Sequence, residues 1–155
     1  MYPDIELDKL IPEHGIRGED KHETQELHQL LSQAKEYITN FTWCPPIVES
    51  YLGIGIGGVL GVFLFKFSKK INDTDEWLWV IEGDLPSAYL VIDEAPNACK
   101  SLEIYADLME EWALKVIGSE STENFFPVNV PENKDYAKML LSRISFIRKE
   151  ILSNY

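Results

Sequence analysis

The chain has 155 residues, 45% of them hydrophobic and 26% charged, the proportions of a globular fold and not of a disordered, collagen-like or coiled-coil chain. Its 26 Asp and Glu against 14 Lys and Arg leave a net charge of −12. That sign is wrong for holding a phosphate backbone or an anionic bilayer, so neither direct nucleic-acid binding nor membrane binding is expected.

Residues 1–19 carry Pro3, Pro12, Gly15 and Gly18 without a clean period and read as an irregular arm; residues 20–155 read as a single α+β domain. Met1-Tyr2-Pro3-Asp4-Ile5-Glu6 lacks a basic region followed by an apolar run, so no signal peptide is expected. A helix then opens with Asp20 as N-cap and Glu23 three residues on, a capping-box arrangement. Its apolar stripe is Leu27, Leu30, Leu31, Ala34, Ile38 and Phe41, and Trp43-Cys44-Pro45-Pro46 ends it.

Tyr51–Phe65 is a 15-residue apolar run with five glycines, too short for a bilayer span. Both of its alternating faces are apolar, which predicts one central strand covered on both sides. Its bare glycines leave room for rings from a neighbouring strand, with Trp77 and Trp79 as the expected occupants over Gly55, Gly57 or Gly61. On that reading Gly57→Val overpacks a closed core at a cost of about 1–3 kcal/mol. Lys69–Asp75 makes a turn, Glu76–Glu82 a second strand, Gly83-Asp84-Leu85-Pro86 another turn, and Ser87–Ile92 a third strand. Short connections predict an antiparallel meander.

Pro96 opens a second helix with the stripe Leu102, Tyr105, Met109, Trp112 and Val116, and Gly118 suits its C-cap. After a loop over Ser119–Pro131, a final helix from about Asn133 to Leu152 buries Ala137, Leu140, Leu141, Ile144, Ile147 and Ile151. The predicted fold is therefore α+β, a three-stranded antiparallel meander packed with three helices in the order α-β-β-β-α-α.

The charge is segregated. Residues 1–50 carry net −6, 51–92 net −2, 93–124 net −6 and 125–155 net +2. Within the third segment, Glu103, Asp107, Glu110 and Glu111 lie at helical steps on an exposed face, with no Lys or Arg between them. Such a strip is either a solvated face or a docking surface for a basic partner.

Other constellations are thinner. Gly53-x-Gly55-x-x-Gly58 matches a dinucleotide fingerprint by letters, but the residues after it have strand character where a phosphate-binding turn needs a helix. His22 and Glu26 share a helix face, while His28 diverges from His22; an acidic, solvated first turn explains them as well as a metal does. Glu82 and Asp84 point to one side of an extended strand, an acid–base pair or a strand end followed by a turn. Cys44 and Cys99 are too few for a disulfide framework, have no metal-ligand spacing, and read as packed, reduced thiols of a cytoplasmic protein.

The segment Trp79-Val80-Ile81-x-Gly83-Asp84-Leu85-Pro86-x-Ala88-Tyr89, the helix with Pro96, Tyr105, Met109 and Trp112, the stretch Pro127-Val128-Asn129-Val130-Pro131, and the ending Ser142-Arg143-x-x-Phe146-Ile147-x-x-Glu150-Ile151-Leu152 belong together. Over residues 50–152 they resemble a group of small acidic bacterial proteins with no assigned activity, and the resemblance assigns no catalytic role. In size, acidity and α+β character the chain is also similar to immunity proteins that neutralise bacterial toxin domains.

The expectation is a non-catalytic, cytoplasmic interaction protein that blocks a cognate toxin or other basic protein through Glu103, Asp107, Glu110 and Glu111, as a monomer or small homo-oligomer. No cofactor or metal is expected. The alternative is a small enzyme or ligand-binding domain centred on Glu82 and Asp84 or on the His22/Glu26 region.

Overall fold

The computed structural model describes residues 7–71, 75–128 and 130–154. The first six residues of the arm, the tip of the Lys69–Asp75 turn at 72–74, Asn129 and Tyr155 lie outside the described residues. The chain divides into two compact units, residues 1–101 and 102–155.

The first unit is a five-stranded antiparallel sheet in the order β1-β2-β3-β4-β5, formed by β1 (Ile11–Pro12), β2 (Ile47–Ile56), β3 (Leu60–Ile71), β4 (Asp75–Gly83) and β5 (Ala88–Val91). Helix α1 (Lys21–Thr39) precedes β2. It starts as its sequence requires: the Asp20 carboxylate accepts the Glu23 N–H at 2.8 Å, and the Glu23 carboxylate reaches back to the Glu19 N–H at 2.7 Å. Its stripe Leu27, Leu30, Leu31, Ala34 and Ile38 is buried against Leu52 of β2, Phe63, Phe65 and Phe67 of β3, and Leu78 and Val80 of β4. On the other face Leu60, Val62, Leu64, Trp79 and Ile81 are fully buried. β3 is thus a strand buried on both faces, and its unbroken apolar sequence follows from that.

α1 crosses the strands. At its N-terminal end Leu27 lies at Gly55 of β2. Beyond its C-terminus Phe41 meets Tyr89 of β5 edge-on, with ring centroids 5.3 Å apart. Ahead of α1, residues 7–19 form two 3₁₀ turns, Leu7–Lys9 and Glu13–Gly15, on either side of β1. This segment is tied to α1 by Lys35 to Glu13 at 2.6 Å, by Gly18 N–H to Thr24 Oγ1 at 2.9 Å, and by His28 Nε2, 3.2 Å from the Ile16 carbonyl.

The α+β class and the antiparallel pairing are as predicted; the strand count and order are not. Among the described residues the sheet has five strands, and the run read as one strand is a hairpin. Ile56 accepts a hydrogen bond from Val59 N–H at 3.0 Å, with Gly58 at φ +74° between them. Only glycine takes that conformation without strain, so Gly57-Gly58 turns the chain and β3 returns along β2. The fifth strand is β1, two residues long, in which Pro12 is tolerated because the strand lies at the edge.

The glycines are not filled by tryptophan rings. Trp77 and Trp79 lie opposite Lys66 and Leu64. A side chain at Gly53 would meet Ala98 at 2.5 Å, one at Gly55 would meet Leu27 and Leu52 at 2.9 Å, and one at Gly61 would meet the Phe63 ring. Gly53 also marks a bulge in β2, where the pairing slips between Leu52 and Ile54. The bulge sends Leu52 to the α1 face and Ile54 to the opposite one. Gly57 sits in the turn against α1, where an added Cβ lies 2.7 Å from Glu23 Cγ and 3.2 Å from the Glu23 carbonyl. Gly57→Val is still expected to cost about 1–3 kcal/mol, now by pushing the hairpin off the first turn of α1. A thermal melt checks it, and an unchanged melting temperature would contradict this packing.

The second unit is mainly helical. α2 (Ala98–Ile117) crosses into it and is followed by α3 (Lys134–Phe146), a π turn at Ile147–Ile151 and a 3₁₀ turn at Leu152–Asn154. Asn97, one residue after Pro96, caps α2 by accepting Lys100 N–H at 2.7 Å. At the other end the positive φ of 57° belongs to Ser119 and not to Gly118. Asn133 caps α3 by accepting Tyr136 N–H at 3.0 Å. Within the unit Trp112 meets Tyr136 edge-on, with centroids 6.5 Å apart. The α2 stripe Leu102, Tyr105, Met109, Trp112 and Val116 is buried, as are Ala137, Leu140, Ile144, Ile147 and Ile151; Leu141 is half-buried.

Candidate functional site

Burial of the α2 stripe turns Glu103, Asp107 and Glu111 outward to solvent, with Glu110 half-buried beside them. The sequence has no Lys or Arg between these acids, but the fold brings one to them. A cation does answer these acids, and it comes from the end of the chain. Arg148, on the π turn, donates from Nη1 to Glu110 Oε2 at 2.6 Å and from Nη2 to Asp107 Oδ1 at 2.8 Å. The planar guanidinium bridges two carboxylates with separate N–H groups. These bonds raise the Arg148 pKa above its ordinary value, that to Glu110 most.

The side chains of Arg148, Asp107 and Glu110 are 35%, 67% and 42% exposed, so solvent screens the bridge. Arg148→Gln should lower stability by less than about 1 kcal/mol, with the loss shrinking as salt is added. Denaturant unfolding at two ionic strengths measures both. Glu111, one turn on from Asp107, borders a shallow surface depression of about 270 Å³ with Lys115, Ser121, Asn124 and Phe125.

Glu82 and Asp84 part company. Glu82 is 9% exposed and accepts the Ser87 hydroxyl at 2.7 Å. Asp84 is exposed in the turn, where its N–H donates to the Val59 carbonyl at 3.0 Å. Burial raises the Glu82 pKa, against the opposing hydrogen bonds from Ser87 and the Gly83 N–H. A folded-state pKa above the unfolded value of 4.5 means that Glu82 favours folding most at acid pH. That contribution is lost as pH rises through the folded pKa. Glu82→Gln keeps an acceptor for Ser87 and removes the buried charge. It should melt higher than wild type at pH 7, with the gap closing near pH 4, as paired thermal melts would show. A lower melting temperature at pH 7 would refute this account.

His22 and Glu26 meet on the α1 surface, Nε2 to Oε1 3.6 Å, with His22 82% exposed. Among the described residues no group of three or more His, Cys, Asp or Glu side chains is placed to hold a metal ion. The glycine fingerprint is occupied by acids: Glu23 Oε2 accepts Gly57 N–H at 3.3 Å, and Glu26 Oε2 lies 2.6 Å from where a Cβ on Gly58 would sit. Two carboxylates against the turn repel a phosphate, so this hairpin is no cradle for a dinucleotide. Cys44 and Cys99 are free thiols, and burial pushes the Cys44 thiol up, away from the thiolate a nucleophile needs.

Sequence reasoning missed a second concavity. An open cleft of about 480 Å³ is bounded by Pro12, Glu13 and His14, by Lys35 of α1, and by Ile47–Tyr51 of β2. None of the candidate residues lines it. Its charged groups are partnered within the first unit: Glu13 with Lys35 at 2.6 Å, and Glu49 with Lys66 at 3.5 Å and with the Tyr51 hydroxyl. The Tyr51 hydroxyl, donating to Glu49 and partly desolvated, is pushed up to about 12. Lys66 also lies 5.5 Å from the Trp77 ring centre. The signal that could have located the cleft is weak, an edge strand of two residues ended by a proline.

No helix among the described residues is long and apolar enough to cross a membrane. Comparison with protein-family models, with curated proteins and with solved structures finds no match.

Proposed function

We propose that this chain is a non-catalytic interaction protein that blocks a basic bacterial toxin domain, in the manner of an immunity protein. The observation that carries the reading is the outward acidic face of α2. Glu103, Asp107 and Glu111 are exposed at helical spacing, in a chain of net charge −12. An acidic surface of this kind accelerates encounter with a basic partner and sets its register. It inhibits by occupying a basic cleft in place of phosphate, without turnover. Arg148 bridges Asp107 and Glu110, which positions that part of the face.

Co-expression with the product of each adjacent gene tests the reading. A stable complex on sizing chromatography, with rescue of growth against that product, is expected. Glu103→Lys with Glu111→Lys should abolish the rescue without unfolding the chain, since both residues are exposed. Failure to bind or rescue against every neighbouring product would overturn the proposal.

A further inference from the structure

We propose that the outer edge of β2 at Ile47–Tyr51 is a docking slot for an extended, basic peptide segment of a partner protein, which adds to the sheet beside β1. The inference rests on reading the chain as an interaction protein, but it uses a surface remote in sequence from the α2 acids. Five consecutive residues, Ile47, Val48, Glu49, Ser50 and Tyr51, border one cleft. Side chains of a strand alternate between faces, so the regularly paired Glu49, Ser50 and Tyr51 can share a cleft only where it runs along the main-chain edge. Glu49 pairs with Lys66 on one face and Ser50 with Phe65 on the other, as that alternation demands.

The edge already accepts a strand. β1 pairs with it at Ile11–Leu52 and Pro12–Tyr51. Pro12 then ends the ladder, and the 3₁₀ turn Glu13–Gly15 replaces the strand, with Glu13 and His14 forming the other wall of the cleft. Among the described residues no strand pairs with β2 on this side from Ile47 to Ser50. A row of main-chain donors and acceptors beside an open cleft is complementary to an extended peptide.

Chemistry narrows the occupant. The lining carboxylates and Lys35 are engaged in internal pairs, which leaves the strand edge and Val48, 54% exposed, as recognition groups. Those groups select main chain and a β-branched or aliphatic side chain. The net charge of −12 selects basic residues around it. The register slip between Ile47 and Glu49 keeps the slot short and twisted, which guards it against indiscriminate edge pairing.

The test uses the full chain and, as probe, a blocked octapeptide of alternating lysine and valine. Saturable binding with slowed amide exchange confined to residues 47–51 is expected. N-methylation of alternate residues in the probe should weaken binding by about tenfold or more, because two or more main-chain hydrogen bonds are lost. Val48→Lys should weaken it likewise at an unchanged melting temperature. Glu103→Lys with Glu111→Lys should retain probe binding, which separates this slot from the α2 surface. Absence of saturable binding, equal affinity for the N-methylated probe, or protection mapping outside 47–51 would each overturn the proposal.

Discussion

Gly83→Ala is expected to destabilise the protein by about 3 kcal/mol or more, the largest effect of any glycine substitution in the sheet. Gly83 ends β4 opposite Leu60, at φ +158°. A Cβ there would collide with the Val59 carbonyl oxygen and lie 3.0 Å from Leu60 Cα. Both obstacles are backbone, one in the β2–β3 turn and the other at the first residue of β3. A side chain could swing aside; this turn cannot, because Val59 N–H is bonded to Ile56 and the Val59 carbonyl to Asp84 N–H, each at 3.0 Å. Relief therefore requires parting β3 from β4. Gly15→Ala is the matched control, since its Cβ would make only a 3.5 Å contact with Ile11. It should leave the urea midpoint nearly unchanged. A Gly83→Ala protein as stable as wild type would contradict the close approach of β4 to the turn.

Trp79→Ala should cost about 3–5 kcal/mol, the range for deleting a large buried aromatic. Trp79 is fully buried, between Leu64 of β3 and Leu90 of β5, and its indole N–H donates to the Ala95 carbonyl at 2.6 Å. Two losses combine: the cavity, and a buried acceptor left without its donor. Trp79→Phe separates them, filling much of the volume while still orphaning the carbonyl, and should cost roughly 1–3 kcal/mol. Trp77→Ala should cost less than Trp79→Ala. Trp77 is 8% exposed, its ring packs near Tyr51 at 6.2 Å, and Lys66 caps it at the sheet's end. Denaturant unfolding of the three variants gives the order; equal costs for Trp77→Ala and Trp79→Ala would sink the distinction between end and centre of the sheet.

Helices were legible in the sequence because helical order is local. The Asp20/Glu23 capping box, the 3.6-residue stripes of α1 and α2 and the Asn133 start of α3 all use partners within four residues, and all form. Strand type was legible too, from β-branched and aromatic content in β4 and β5. The hairpin was not recognised. Gly57-Gly58 is a turn signal, and the apolar run exceeds an ordinary strand length. Uniform hydrophobicity on both sides of the turn nonetheless hid the reversal, since β3 is buried on both faces and shows no alternation to break.

What the sequence determined by itself about this protein is the α+β class, the antiparallel connectivity of its later strands, the helices and their apolar faces, and the excess of acid on the α2 face. Each depends on composition or on neighbours a few residues apart. Only the tertiary structure decided which groups meet across 34 to 41 positions. Glu23 reaches Gly57, closing the phosphate-like loop with carboxylates, and Arg148 reaches Asp107 and Glu110. The edge of β2 beyond β1 is likewise decided there, by Pro12 and the 3₁₀ turn that end the ladder and border a cleft along Ile47–Tyr51. Chain periodicity carries no information about such meetings, because pairing register and side-chain reach are settled by packing of elements far apart in sequence.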